Sequence, residues 1–490
     1  MKYDLVITGA HVIDPAHDVN RVTSVAISAR KFVAVGDDIN PLNADRIINA
    51  DGRYLTPGWI DMHVHTYSRL SFSHPDTIGV LHGVPTIVDA GGGGLWTYDD
   101  CRAYWEGKCK TDILAFVYHL PGGLGNGKLT LDPKNYEQPE QTNIPPGLWK
   151  EMIDRNRDRV RALKGGIHTY LGIRPIEVMR SISEAADIPY YLHLGDIVPS
   201  APRGPRITRQ VVDSLRPGDT LTHAYTGNWG NLLDDEGVVF PEVLRAQRRG
   251  VILSVAFGGN NFSFEAFDKL FAQGIIADVI SSDLQGVSIT GPAHSLAHVM
   301  SLFLNNGFTL KDVVERVTIN PARALRLEDK LGSLTPGLPA RITVFGMEEG
   351  AYKFRDAKGK VRQGTLMIVP KFCVMDGEVI DCDFEAGLAQ ENWSYMQYTG
   401  EGPAPHQGEL DQEQRDFLHL LASTCERVDW ESGKELHMAY HRCVDKTGLD
   451  SRKAADAVYN TFLESRFVVP VGYLFNTMNR DFTLQRLQGV

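Results

Sequence analysis

Cysteine is scarce and dispersed, six residues in a chain of 490, at positions 101, 109, 373, 382, 425 and 443. None forms a C-x-x-C pair, so neither a disulfide framework nor a cysteine-built zinc site is expected. Buried thiols in a reduced, cytoplasmic setting fit the pattern. Basic charge is also in short supply: 50 Lys and Arg against 61 Asp and Glu leave a formal net charge of -11. That balance offers no broad electrostatic footprint for nucleic acid or an anionic membrane. No apolar run approaches the length of a membrane span, and residues 1–9 lack the long hydrophobic segment of a secretory signal. Internal repeats and low-complexity tracts are lacking. Gly91-Gly92-Gly93-Gly94 lacks the Lys-Ser or Lys-Thr continuation of a phosphate loop and reads as a strand-end loop. The expected partner is a small-molecule substrate, with neither nucleic acid nor membrane, and the expected assembly is a homo-oligomer.

What is present describes a soluble globular chain, 43% hydrophobic and 23% charged. Its length exceeds one ordinary core, which predicts a large domain of roughly 250 to 300 residues with smaller attachments. The N-terminal stretch is β-rich, with strand-like runs at 4–7, 22–27, 31–35 and 46–48 ended by Asp51-Gly52. From Leu55 onward, apolar runs at 59–63, 85–89, 113–118, 160–164, 189–193, 220–223, 251–255 and 278–283 are separated by helical stretches. Such alternation predicts the α/β class, and these runs suit a (β/α)8 TIM barrel with functional groups at the C-terminal strand ends. The barrel is expected to span 55–328. Segments 1–54 and 329–385 are expected to assemble into a small β-sandwich domain. Residues 386–490 read as a helical C-terminal extension entered through a Gly/Pro-bearing linker at 398–405. In it Phe417, Leu418, Leu420 and Leu421, and then Ala454, Val458 and Phe462, have helical spacing. An oligomer contact, a cover for the barrel exterior or a lid are its expected roles.

His63 and His65 stand two residues apart at a predicted strand end, where period-2 geometry aims both imidazoles to one face. Two neutral nitrogens so placed can grip one ion, although a lone H-x-H pair is common. The surrounding run Pro57-Gly58-Trp59-Ile60-Asp61-Met62-His63-Val64-His65 resembles the P-G-x-x-D-x-H-x-H opening strand of the amidohydrolase superfamily. The similarity runs over nearly all of residues 1–385 and looks closest to dihydroorotase-like members and their deacetylase or acyl-esterase relatives. It implies a binuclear site, with one ion held by His63 and His65, a second by His193 and His223, and Asp283 completing the set. It also implies that Lys164 bridges the ions as a CO2-derived carbamate. An unmodified lysine would repel the metals, whereas a carbamate supplies the shared negative charge that two close cations need. Zinc is the first expectation from nitrogen and oxygen ligands, with manganese or iron as alternatives.

The implied chemistry is attack of hydroxide, generated from metal-bound water, on a carbonyl of an N-acyl amide, a cyclic amide or imide, or an ester. Asp283 carries the proton, and the second ion polarises the carbonyl. Ser281-Ser282-Asp283-Leu284-Gln285-Gly286 and Gly291-Pro292-Ala293-His294 look like the deacetylase branch. The run from Gly332 to Ala340, with Thr343-Val344-Phe345, resembles the superfamily's return into its β domain. Arg341 departs from the pattern, which commonly has an aspartate there, and 386–490 has no counterpart. Candidate substrate-binding residues are Tyr225, Asn228, Asn260 and Gln285. Arg69, Trp96, Tyr118 and His119 occupy similar loops, and each of these eight is as readily a packing residue. Two other readings stay open. One is a mononuclear deaminase using His63, His65, His193 and Asp283 with a structural Lys164. The other is a non-catalytic dihydropyrimidinase-like assembly protein, against which the filled ligand set speaks.

Overall fold

The structure, a computed structural model, describes residues 2–67, 73–124, 136, 138–197, 202–289, 291–382, 410–430, 433–462, 471, 475 and 480–490. Arg69 and the predicted linker at 398–405 lie outside the described residues. The described residues up to 382 form one compact unit and those from 410 onward a second.

Strands β1 (Tyr3–Asp14), β2 (Val19–Ser28), β3 (Lys31–Gly36), β4 (Ala44–Asn49) and β5 (Tyr54–Pro57) open the first unit. Then come β6 (Ile60–Val64), β7 (Thr86–Ala90), β8 (Asp112–Tyr118), β9 (Val160–Ile167), β10 (Tyr190–Leu194), β11 (Thr220–Thr222) and β12 (Ile252–Ser254). The last three are β13 (Ile342–Arg355), β14 (Val361–Met375) and β15 (Glu378–Asp381). Strands from the two flanks share one mixed sheet, ordered β15-β14-β13-β5-β1-β2-β3 with β4 on β1. The join is β5 against β13, where Leu55 faces Val344 and Pro57 faces Ile342. Leu5, Ile7, Val12, Val25, Leu55, Ile342, Val344 and Val374 share its core. Burying each such side chain stabilises by about 1.5 to 3 kcal/mol, enough collectively to hold together segments so remote in sequence.

The middle strands form a parallel sheet in strict sequence order, β6 to β12. Parallel neighbours require crossovers, which intervening helices such as Arg174–Ala186 and Pro241–Arg249 supply. β6 and β7 are buried at every position, as expected for strands covered on both faces. Pro85 and Pro189, placed inside strands by the hydrophobic pattern, fall just before β7 and β10. A proline has no N–H for the ladder, and each contributes its carbonyl instead, to Asp112 and to Leu163. The predicted eighth run is not a regular strand. It still links the two edges of the sheet: Val255 N donates to Val279 O and Phe257 N to Ser281 O on one side, Asp283 N to His63 O and His65 N to Leu284 O on the other.

Arg341 is accounted for by its partner. Its Nη1 lies 2.6 Å from Asp112 Oδ2 and 2.9 Å from Thr86 Oγ1 at the N-terminal ends of β8 and β7, and Arg159 grips the other Asp112 oxygen at 2.5 Å.

The second unit contains helices Gln412–Cys425, Gly433–Thr447, Ser451–Phe462 and Arg480–Gln488. Phe417, Leu418, Leu421, Ala454, Val458 and Phe462 are buried, and Asp411 with Gln414 forms a reciprocal capping box at the first helix. Among the described residues no helix is long and apolar enough to cross a membrane.

Candidate metal centre

β6 delivers His63, with His65 two residues on, and both rings reach the segment after β12. His63 Nε2 lies 3.4 Å and His65 Nε2 3.2 Å from Asp283 Oδ1. Among the described residues these three form a buried group able to hold an ion. Asp283 adopts a left-handed backbone with φ 53°, an uncommon and costly conformation for a non-glycine residue that ends the extended run and sets the carboxylate. His63 Nδ1 is 3.1 Å from both Thr222 Oγ1 and Tyr191 Oη, which leaves Nε2 directed at the centre.

Lys164, on β9, places Nζ 3.3 Å from His63 Nε2 and 4.8 Å from the centre of the Tyr191 ring. His193, on β10, donates from Nε2 to Gly195 O at 3.1 Å, so its Nδ1 keeps a lone pair. His223 follows β11 at φ 63° and donates from Nδ1 to Ala256 O at 2.7 Å, which leaves Nε2 as the acceptor. The His193 and His223 rings lie 4.2 Å apart, and that of His223 is 5.2 Å from His63. All six predicted ligands therefore collect at one end of the parallel sheet.

Burial dominates the electrostatics. It pushes His63 and His193 well below the usual imidazole range and His223 to about 4, so all three are neutral donors. It also lowers the Lys164 ammonium to about 7. Beneath the pair, burial raises Asp61 to about 7 even though Ser282 Oγ and the Ser282 and His63 amides donate to it.

The predicted lining residues disperse. Tyr225 packs among Phe262, Phe267 and Phe303, and its hydroxyl bonds Ile275 O and Ala277 N inside the core. His119 is fully buried between Lys164 O and Tyr136 Oη, Tyr118 is buried, and Trp96 is 58% exposed. Asn228 donates to Asn260 O at 3.2 Å, while Gln285 is half-buried and its backbone N donates to Ser288 Oγ at 3.0 Å. Sequence reasoning passed over Tyr191, Thr222 and Asn261. Tyr191 sits two residues before His193 and so on the same strand face, a signal that could have found it.

A family model described as Amidohydrolase family matches residues 263–379. A deacetylase of Agrobacterium fabrum is 29% identical over 357 residues, 71% of this chain and 84% of that protein. A deacetylase of Enterococcus faecalis is 26% identical over 78% of this chain and 100% of its own length. A crystal structure of an adenine deaminase superposes with TM-score 0.68 at 26% identity, covering 78% of this chain and 100% of that one. A dihydroorotase structure follows at TM-score 0.66 and 26% identity, covering 77% and 98%. The chain thus matches the amidohydrolase family over 263–379 and is similar over about three quarters of its length to deacetylases, an adenine deaminase and a dihydroorotase.

The donor set suits a divalent metal ion. Neutral imidazole nitrogens and a carboxylate oxygen converge, and the second nitrogens of His63, His193 and His223 are held by other groups.

Proposed function

We propose that the protein is an amidohydrolase, a binuclear metal-dependent hydrolase that cleaves an N-acyl amide, a cyclic amide or imide, or an ester. The convergence of His63, His65, Lys164 and Asp283 within hydrogen-bonding distance carries the reading, and the two deacetylase relatives favour acyl transfer to water. His63 and His65 would hold one ion, His193 and His223 the other, with Asp283 on the first and Lys164 between them. Divalent ions, zinc by preference or manganese or iron, would supply hydroxide at neutral pH and polarise the substrate carbonyl. Because burial brings Lys164 to about 7, its uncharged amine is available to add CO2 with loss of a proton, giving the bridging carbamate. Asp283 accepts the proton of the attacking nucleophile and returns it to the leaving nitrogen or oxygen. Segment 55–328 is assigned to this catalytic body, 1–54 and 329–385 to the β domain beside it, and 386–490 to a helical appendage.

The test is a screen of N-acetyl amino acids, hydantoins, cyclic imides and acyl esters with zinc- or manganese-loaded protein. Asp283→Asn is expected to lose about 10²- to 10⁴-fold in turnover; retained turnover would contradict its role. A mononuclear deaminase is the second reading, favoured by the sufficiency of the His63, His65 and Asp283 group for one ion and by the adenine deaminase structure.

A further inference from the structure

Asp283 is held from two sides. While Oδ1 faces His63 and His65, Oδ2 turns into the loop after β12, where Asn261 Nδ2 donates to it at 3.4 Å. Asn261 is 4% exposed. In the same loop a Cβ on Gly258 would stand 2.2 Å from Oδ2, and its φ of +60° also favours glycine. The loop is thus fitted closely around the carboxylate.

It is fastened in turn by the β13–β14 hairpin, which belongs to the other sheet. Ala357 N donates to Phe262 O at 3.0 Å, and Phe264 N donates to Asp356 Oδ2 at 2.9 Å. The Asp356 carboxylate also caps its own turn, accepting from Lys358 N and Lys360 N at 2.8 Å each. Lys358 Nζ donates to Asn228 Oδ1 at 2.6 Å, and Asn228 Nδ2 reaches Asn260 O at 3.2 Å and Asn261 Oδ1 at 3.5 Å. Gly227 N completes the attachment by donating to Asn261 O at 3.1 Å.

We propose that Asn261 is a positioning residue for Asp283, and that the hairpin turn at 356–360 sets the place of Asn261 through Lys358 and Asn228. The inference rests on the role proposed above for Asp283 and deepens it. The terminal carboxylate torsion is broad and roughly two-fold, so an aspartate with one face ungripped samples rotations that misdirect its reacting oxygen. With Oδ2 committed to the Asn261 amide, Oδ1 stays aimed at the histidine pair. Two amide side chains and one ammonium then make the sheet outside the barrel a support for the centre.

The experiment compares the parent with Asp283→Asn, Asn261→Ala, Asn261→Ser and Lys358→Met as purified full-length chains loaded with Co2+. Visible absorption of the bound cobalt, melting temperature and hydrolysis of para-nitrophenyl acetate are read. Expected for Asn261→Ala is a changed cobalt spectrum and kcat lower by about tenfold or more with KM little altered, since small misplacements of a reacting group are costly. Asn261→Ser, which keeps a donor, recovers part of both signals. Lys358→Met shifts them in the same direction by less, with an unchanged melting temperature. A parent-like spectrum and kcat in Asn261→Ala, beside altered values in Asp283→Asn, would overturn the positioning role alone. Parent-like values in Asp283→Asn itself would remove the reading on which it rests.

Discussion

His63 presents Nε2 to Asp283 because its other nitrogen is occupied by Tyr191 and Thr222. Removing the Tyr191 hydroxyl frees the ring to turn, so Tyr191→Phe is expected to weaken metal affinity about 10- to 100-fold while the ligand set stays intact. Competition against a chelator measures this, and parent affinity would show that Thr222 suffices. The ligands were legible because imidazole, amine and carboxylate groups at strand ends carry recognisable chemistry. Their supports were not, since a tyrosine and a threonine in a buried strand look like ordinary packing. His223 shows a second limit: its φ of 63° breaks the alternation that elsewhere tells which strand residues share a face.

At the scale of elements, strand positions were readable from apolar runs, and the errors have definite causes. Prolines 85 and 189 step outside the ladder for want of an N–H. The eighth run reads as a strand by composition, yet its residues bond the sheet edges irregularly. Tyr225 looked like a loop residue but supplies its ring to an aromatic cluster. The most instructive element is the pairing of Arg341 with Asp112, both mostly buried at 17% and 15% side-chain exposure. Removing one member strands the other charge, so Asp112→Ala, which leaves Arg341 and Arg159 without their shared carboxylate, is expected to destabilise by about 3 to 5 kcal/mol. Urea denaturation would measure it, and a loss under about 1 kcal/mol would place this cluster with exposed ion pairs.

Across the whole molecule, burial holds several histidines neutral: His82, His119, His168 and His223 near 4, and His298 near 3. In the unfolded chain each titrates near 6.5. Between these values the unfolded state binds more protons, so stability rises with pH across the window and is lost as pH falls from about 6.5 toward 4. Asp61, raised to about 7, and Asp278, also raised by burial, act in the opposite sense over part of that range, but two carboxyls oppose five histidines. The melting temperature of metal-free protein should therefore drop between pH 7 and pH 4; a flat profile would contradict the neutral assignments.

The proposed two-ion centre, with Lys164 between the ions, fixes how much metal each chain should carry. Counting metal per chain by elemental mass spectrometry after dialysis, for parent and Lys164→Ala, tests it most directly. Close to two ions are expected in the parent, with loss of metal and of turnover in Lys164→Ala. One ion per chain in the parent, with full turnover in the variant, would contradict it.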